Sequence, residues 1–123
     1  MAIVNQKFSI TSNSNDVIDL TSKIENIVKF SEANDGVILV HTTDINSSII
    51  LSDDKEKSLL SFMDDLIPAK DNSYPFLKST FLGRNLQLSI INKILQISDY
   101  QKIVLINFDY KTTIQDIIVS LIY

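Results

Sequence analysis

His41 is the single histidine of the 123-residue chain, and no cysteine accompanies it. A closed zinc site needs several nitrogen or sulfur ligands, so the composition argues against conventional zinc chemistry, and no cofactor is expected. As a general base His41 is the one imidazole on offer; the plainer reading makes it the last residue of a buried strand, satisfied by one backbone partner. Carboxylates offer a second chemistry. Asp44, Asp53 and Asp54 could gather around a hard cation such as magnesium, which prefers oxygen ligands. Helix-cap chemistry favours the alternative, a turn aspartate and two helix-starting acids. A third set is cationic: Lys78 and Arg84 flank Ser79 and Thr80, and the four could donate to a phosphate group. Solvated surface charge is the competing explanation for them.

These residues sit in a chain of one-domain length, residues 1–123, with a formal net charge of −4. Arg84 is its only arginine and its lysines are scattered among acids, which excludes the clustered positive charge of a nucleic-acid footprint. No run of about twenty apolar residues could span a membrane. The start, Met-Ala-Ile-Val-Asn-Gln-Lys, lacks the apolar stretch of a signal peptide, and with the missing cysteines this predicts a cytoplasmic protein. Gly36, Gly83, Pro68 and Pro75 are the only glycines and prolines, too few for a glycine-rich phosphate cradle.

The elements that must position the candidates follow from periodicity. In residues 3–10, Val4, Phe8 and Ile10 recur with a period of two, as a strand with one buried face requires. After a polar bend at residues 11–15, Val17-Ile18-Asp19-Leu20 is a short extended piece. Ser22 and Glu25 then have capping-box spacing and predict a helix start, with Ile24, Ile27 and Val28 on one face. Asn34-Asp35-Gly36 ends that helix, and Val37-Ile38-Leu39-Val40 predicts a central strand covered on both sides. Ile49-Ile50-Leu51 reads as a second buried strand. Asp53-Asp54 opens another helix, which carries Leu59, Leu60, Met63 and Leu66 on its apolar side and stops at Pro68. A polar loop spans residues 69–75, and residues 76–83 fit either a short helix or a strand.

Residues 86–90, 94–97, 102–108 and 114–122 are strands joined by hairpin-length gaps, the first turning at Asn92-Lys93. They predict a four-strand antiparallel meander. Two helices in the first half, packed with this mainly antiparallel sheet or sandwich, define an α+β fold. The last strand is nearly all apolar after Asp116, and as an unpaired edge it would need a partner subunit to cover it.

Several strings in this order resemble the YjbQ family, small domains described as secondary thiamine-phosphate synthases. They are Asn15-Asp16-Val17-Ile18-Asp19-Leu20-Thr21, Asp35-Gly36-Val37-Ile38-Leu39-Val40, Leu77-Lys78-Ser79-Thr80-Phe81-Leu82-Gly83 and Lys102-Ile103-Val104-Leu105-Ile106-Asn107-Phe108-Asp109. The resemblance covers nearly the whole chain. It implies a histidine site for metal and phosphate, built from His-Thr-Thr after the central strand, Asn-Glu-Asn after the next, and two histidines before a Lys-x-Ser-x-x-Gly segment.

This chain departs from that pattern. His41-Thr42-Thr43 matches the first element only with a short deletion; aligned without a gap from Gly36, Asp44 takes the histidine position and Ser47-Ser48 that of the family's small pair. Ser52-Asp53-Asp54 then stands for Asn-Glu-Asn, with Asp53 as a shortened glutamate. No histidine occurs in residues 69–75. The family's Gly-Thr-Trp-Gln appears as Ser98-Asp99-Tyr100-Gln101, with only Gln101 kept.

The expectation is therefore a YjbQ-like domain with a degenerate site, acting as a non-catalytic structural or ligand-binding protein. A small phosphorylated ligand would meet Lys78, Ser79, Thr80, Arg84 and Gln101, and the resemblance implies a homotrimer. His41, Asp44 and Asp53 are the candidates for any residual catalysis. Two alternatives stand beside this: a thiamine-phosphate synthase-like enzyme working with carboxylates and hydroxyls, and a subunit that partners an intact family member.

Overall fold

Alternating apolar residues give the chain most of its strands, and the computed structural model, which describes residues 1–53, 55–68 and 74–123, arranges them in two sheets. In chain order the elements are β1 (Ile3–Ser12), β2 (Val17–Asp19), α1 (Thr21–Lys29), β3 (Gly36–Thr42), β4 (Ser47–Ser52) and α2 (Glu56–Leu66). There follow α3 (Tyr74–Leu82), β5 (Asn85–Ile91), β6 (Ile94–Leu95), β7 (Lys102–Asn107) and β8 (Thr113–Ile122). The larger sheet has the order β1-β8-β3-β5-β6 and the smaller the order β2-β7-β4, with every pairing antiparallel. The class is α+β, as the periodicity predicts.

The sheets meet across one core. Ile38, Val40, Leu88, Ile90, Ile117, Val119 and Leu121 of the larger sheet pack with Ile49, Ile103 and Leu105 of the smaller, and α1 adds Ile24 and Val28. Each such side chain contributes about 1.5–3 kcal/mol by leaving water. On the other face of the smaller sheet, Val104, Ile106 and Phe108 form a second cluster with Leu59 and Leu60 of α2 and Leu82 of α3. Three layers result: the larger sheet, the smaller sheet, and α2 with α3, while α1 packs on the core between the sheets.

This layering overturns the meander. Of the last four strands only β5 and β6 form a hairpin; β7 joins the smaller sheet and β8 lies between β1 and β3. The cause is visible in β7, which places Ile103 and Leu105 in one cluster and Val104 and Ile106 in the other. A strand apolar on both faces needs cover on both, and only the middle layer provides it. β8, paired on both sides, is no unpaired edge.

Other boundaries shift for local reasons. α1 begins at Thr21, whose N–H donates to Asp19 Oδ1 at 2.9 Å, so the Ser22–Glu25 capping box is not used. β3 is central but buried on one face only: Ile38, Val40 and Thr42 are buried, Val37, Leu39 and His41 half-buried. The ambiguous segment is a third helix, α3, with Pro75 in its first turn, where a missing N–H costs nothing. Asp53 lies ahead of α2 rather than in it. Leu66, expected on the apolar side, is exposed. Asp54 and the loop residues 69–73 lie outside the described residues.

The backbone is constrained at one close approach and one turn. A Cβ on Gly36 would stand 2.2 Å from the carbonyl oxygen of Ile122, so only glycine lets β3 and β8 approach this closely. Asn92 and Lys93 have φ of 52° and 64°, the left-handed pair that a two-residue hairpin turn requires.

Candidate functional site

The end of β3 sends its residues in opposite directions. His41 lies on the outward face of the larger sheet, opposite Ile118 of β8 and Asn85 of β5, and its ring makes no hydrogen bond among the described residues. The expected backbone partner is absent from that set. Thr42 points inward, 4 % exposed, and its Oγ1 accepts the N–H of Asp44 at 3.2 Å. Asp44 Oδ1 in turn accepts the N–H of Asn46 at 2.8 Å, an Asx turn that swings the chain into β4. Asn46 donates its Nδ2 to Asp109 at 3.1 Å and ties this turn to the end of β7.

Asp44 and Asp53 occupy opposite ends of β4. At about 3.3 Å per residue the strand holds them roughly 20 Å apart, so they cannot share a cation. No group of three His, Cys, Asp or Glu gathers in metal-binding proximity among the described residues.

The segment around α3 divides in two. Lys78, 4 % exposed, turns toward α2, where its Nζ pairs with Asp64; the ammonium also lies 5.0 Å from the ring centre of Tyr74 and 5.7 Å from that of Phe108. Ser79, Thr80 and Arg84 converge instead on the β3–β4 turn. Arg84 Nη2 donates to the Ile45 carbonyl at 2.8 Å and reaches Ser79 Oγ at 2.9 Å and Thr80 Oγ1 at 3.1 Å. The Ser79 hydroxyl also bonds the Ile45 carbonyl, and it lies 3.0 Å from the carbonyl of Phe76. The guanidinium stacks 5.3 Å from the Phe76 ring centre. Three of the four phosphate candidates thus come together, around a backbone carbonyl, and the fourth does not.

Gln101 is elsewhere. Its Oε1 accepts the N–H of Ser98 at 3.0 Å, closing the turn before β7, and it lines a cleft of about 300 Å³ with Thr21 and Glu25 of α1. Two residues that motif reading misses organise the region more than any candidate. Asp64 holds Lys78, and Asn107, wholly buried, places its Nδ2 within 3.2–3.5 Å of the Ser12, Asn13 and Lys111 carbonyls and of Thr113 Oγ1. A lone amide closing the apolar run of β7 is the signal that marks Asn107.

The fold is thus an α+β assembly of two antiparallel sheets, with the candidate residues spread over the end of β3, the β3–β4 turn, α3 and the turn before β7. The family model described as UPF0047 protein YjbQ-like matches residues 6–123, and the chain belongs to that family. A UPF0047 protein of Archaeoglobus fulgidus is 25% identical over 118 residues, covering 86% of this chain and 91% of its own. Among solved structures, an uncharacterised YjbQ/UPF0047 family protein of Clostridium acetobutylicum superposes with a TM-score of 0.86 at 23% identity, covering 95% of this chain and 99% of that one. A protein of unknown function from Sulfolobus solfataricus gives a TM-score of 0.85 at 18% identity, covering 98% of both chains.

Proposed function

We propose that this chain is a non-catalytic member of its family, a structural or ligand-binding homo-oligomer whose inherited site has lost its chemistry. One observation carries the reading: the side chains at the family-like positions are committed to bonds that build the fold. Lys78 is held by Asp64, Ser79 and Arg84 by the Ile45 carbonyl, and Asp44 by its own turn. A phosphate clamp needs its donors turned to the substrate, whereas the Lys78 ammonium is turned to Asp64 and Arg84 Nη2 to three oxygen atoms of the fold itself.

Self-association is part of the reading. The outward face of the larger sheet carries Val37, Leu39, Ile118 and Ile122 on β3 and β8, with His41 among them, and among the described residues no helix packs over it. An antiparallel sheet facing water is usually polar on that side, which supports a second copy seated there; the trimeric arrangement comes from the family resemblance. The cellular setting that goes with this reading is the cytoplasm, and no described helix is long and apolar enough to cross a membrane.

Metal analysis of protein purified without chelator should find no stoichiometric zinc; one zinc per subunit would overturn the reading. Thermal-shift screening with phosphorylated pyrimidine and thiazole compounds should leave the melting temperature unchanged. A saturable rise would instead support the synthase-like alternative, because a ligand that binds only the native state must stabilise it.

A further inference from the structure

The outer face of the smaller sheet is covered unevenly. α2 lays Leu59 and Leu60 toward the sheet, while β2 is an edge strand of three residues. Between β2, the start of β7 and the first turn of α2 a cleft of about 390 Å³ remains, within the size range of small-molecule sites. It shares no residue with the candidates named from the sequence.

Its lining combines two chemistries. Val17, Leu60 and Val104 form an apolar floor continuous with the second hydrophobic cluster. Around them stand Asp19 and Lys102 from the sheet and Glu56 and Lys57 from the helix, so each wall carries one acid and one base. Among the described residues Asp19, Glu56 and Lys57 form no ion pair, and the Asp19 carboxylate accepts one bond, from the N–H of Thr21, at Oδ1.

We infer that this cleft binds a small zwitterion with an apolar body, of the amino-acid type. A ligand with one charge would set a like charge beside it on either wall. A dipolar one places its carboxylate toward Lys57 and its ammonium toward Asp19 or Glu56, and its side chain covers the floor, gaining about 25 cal/mol per Å² of apolar surface removed from water. The site stands whether or not the family-like residues are catalytic.

Methyl-detected NMR titration of the full chain with leucine and with phenylalanine tests it. Saturable shifts confined to Val17, Leu60 and Val104 are expected. The singly charged analogues 4-methylpentanoate and isopentylamine should bind about 10-fold more weakly, equivalent to about 1.4 kcal/mol. Asp19→Asn, which keeps an acceptor for Thr21, and Lys57→Gln should each weaken leucine binding about 5-fold, a little under 1 kcal/mol, with an unchanged melting temperature. No saturable shift up to roughly 20 mM of either amino acid, equal binding of the analogues, or unaltered binding by both variants would overturn the proposal.

Discussion

Lys78 reaches Asp64 from a position 4 % exposed, so the ammonium of α3 is anchored by a carboxylate of α2 that itself stands mostly in water. This pair joins the two helices over the second core. It also removes from the solvent the one lysine of the family-like segment.

Cutting the pair from one side should therefore cost more than removing the charge altogether. Asp64→Ala leaves a buried ammonium with only ring faces beside it and should lower stability by about 1–3 kcal/mol, whereas Lys78→Met keeps the stem and should cost less than about 1 kcal/mol. Urea unfolding of both variants and of the double variant checks this. An Asp64→Ala effect no larger than that of Lys78→Met would refute the anchoring role.

Asn107 should be the most sensitive polar position. Its side chain is wholly buried; its amide serves the Ser12 and Asn13 carbonyls and its Oδ1 accepts the N–H of Asp109 at 2.9 Å, tying β1 to the end of β7. Asn107→Ala strips these partners together, and a loss of about 2–4 kcal/mol is expected in chemical denaturation. Asn107→Asp, isosteric but lacking the donors, should not rescue it.

Gly36→Ala places a methyl group against the Ile122 carbonyl, at a separation of 2.2 Å before relaxation. Prying β3 from β8 should cost about 1–3 kcal/mol, read as a fall in melting temperature. Gly83→Ala has open space around it, and there the cost should arise from its φ of 94° alone.

Ile118→Lys separates assembly from folding. The residue faces outward beside His41 on the larger sheet, so circular dichroism should be unchanged while sedimentation velocity shows a shift to monomer. An unaltered sedimentation coefficient would place any self-association on another face.

The strands are legible in the sequence because their periods of two are clean; their distribution between sheets is not. Residues 98–101 read as a gap of hairpin length before β7, yet the two-faced apolar pattern of Ile103, Val104, Leu105 and Ile106 decides where that strand goes. The same holds at the site. Ser79, Thr80 and Arg84 lie close enough along a helix end for their convergence to be anticipated, and the structure brings them together. Asp64 precedes Lys78 by 14 residues on a separate helix, and only packing reveals the pair. Asp44 and Asp53 look adjacent in sequence because a linear reading ignores the extended length of β4.

The strand pairings carry a consequence for how the chain is made. β1 pairs with β8, β2 and β4 with β7, and β3 with β5 and β8, so no strand of the first half has a sheet partner within that half. A nascent chain ending before residue 85 holds four strands with nothing to pair against, and both sheets close only when the C-terminal strands emerge. Such non-local closure makes folding slow and leaves the apolar runs of β3 and β4 exposed during synthesis, which is the interval in which this protein is most open to aggregation.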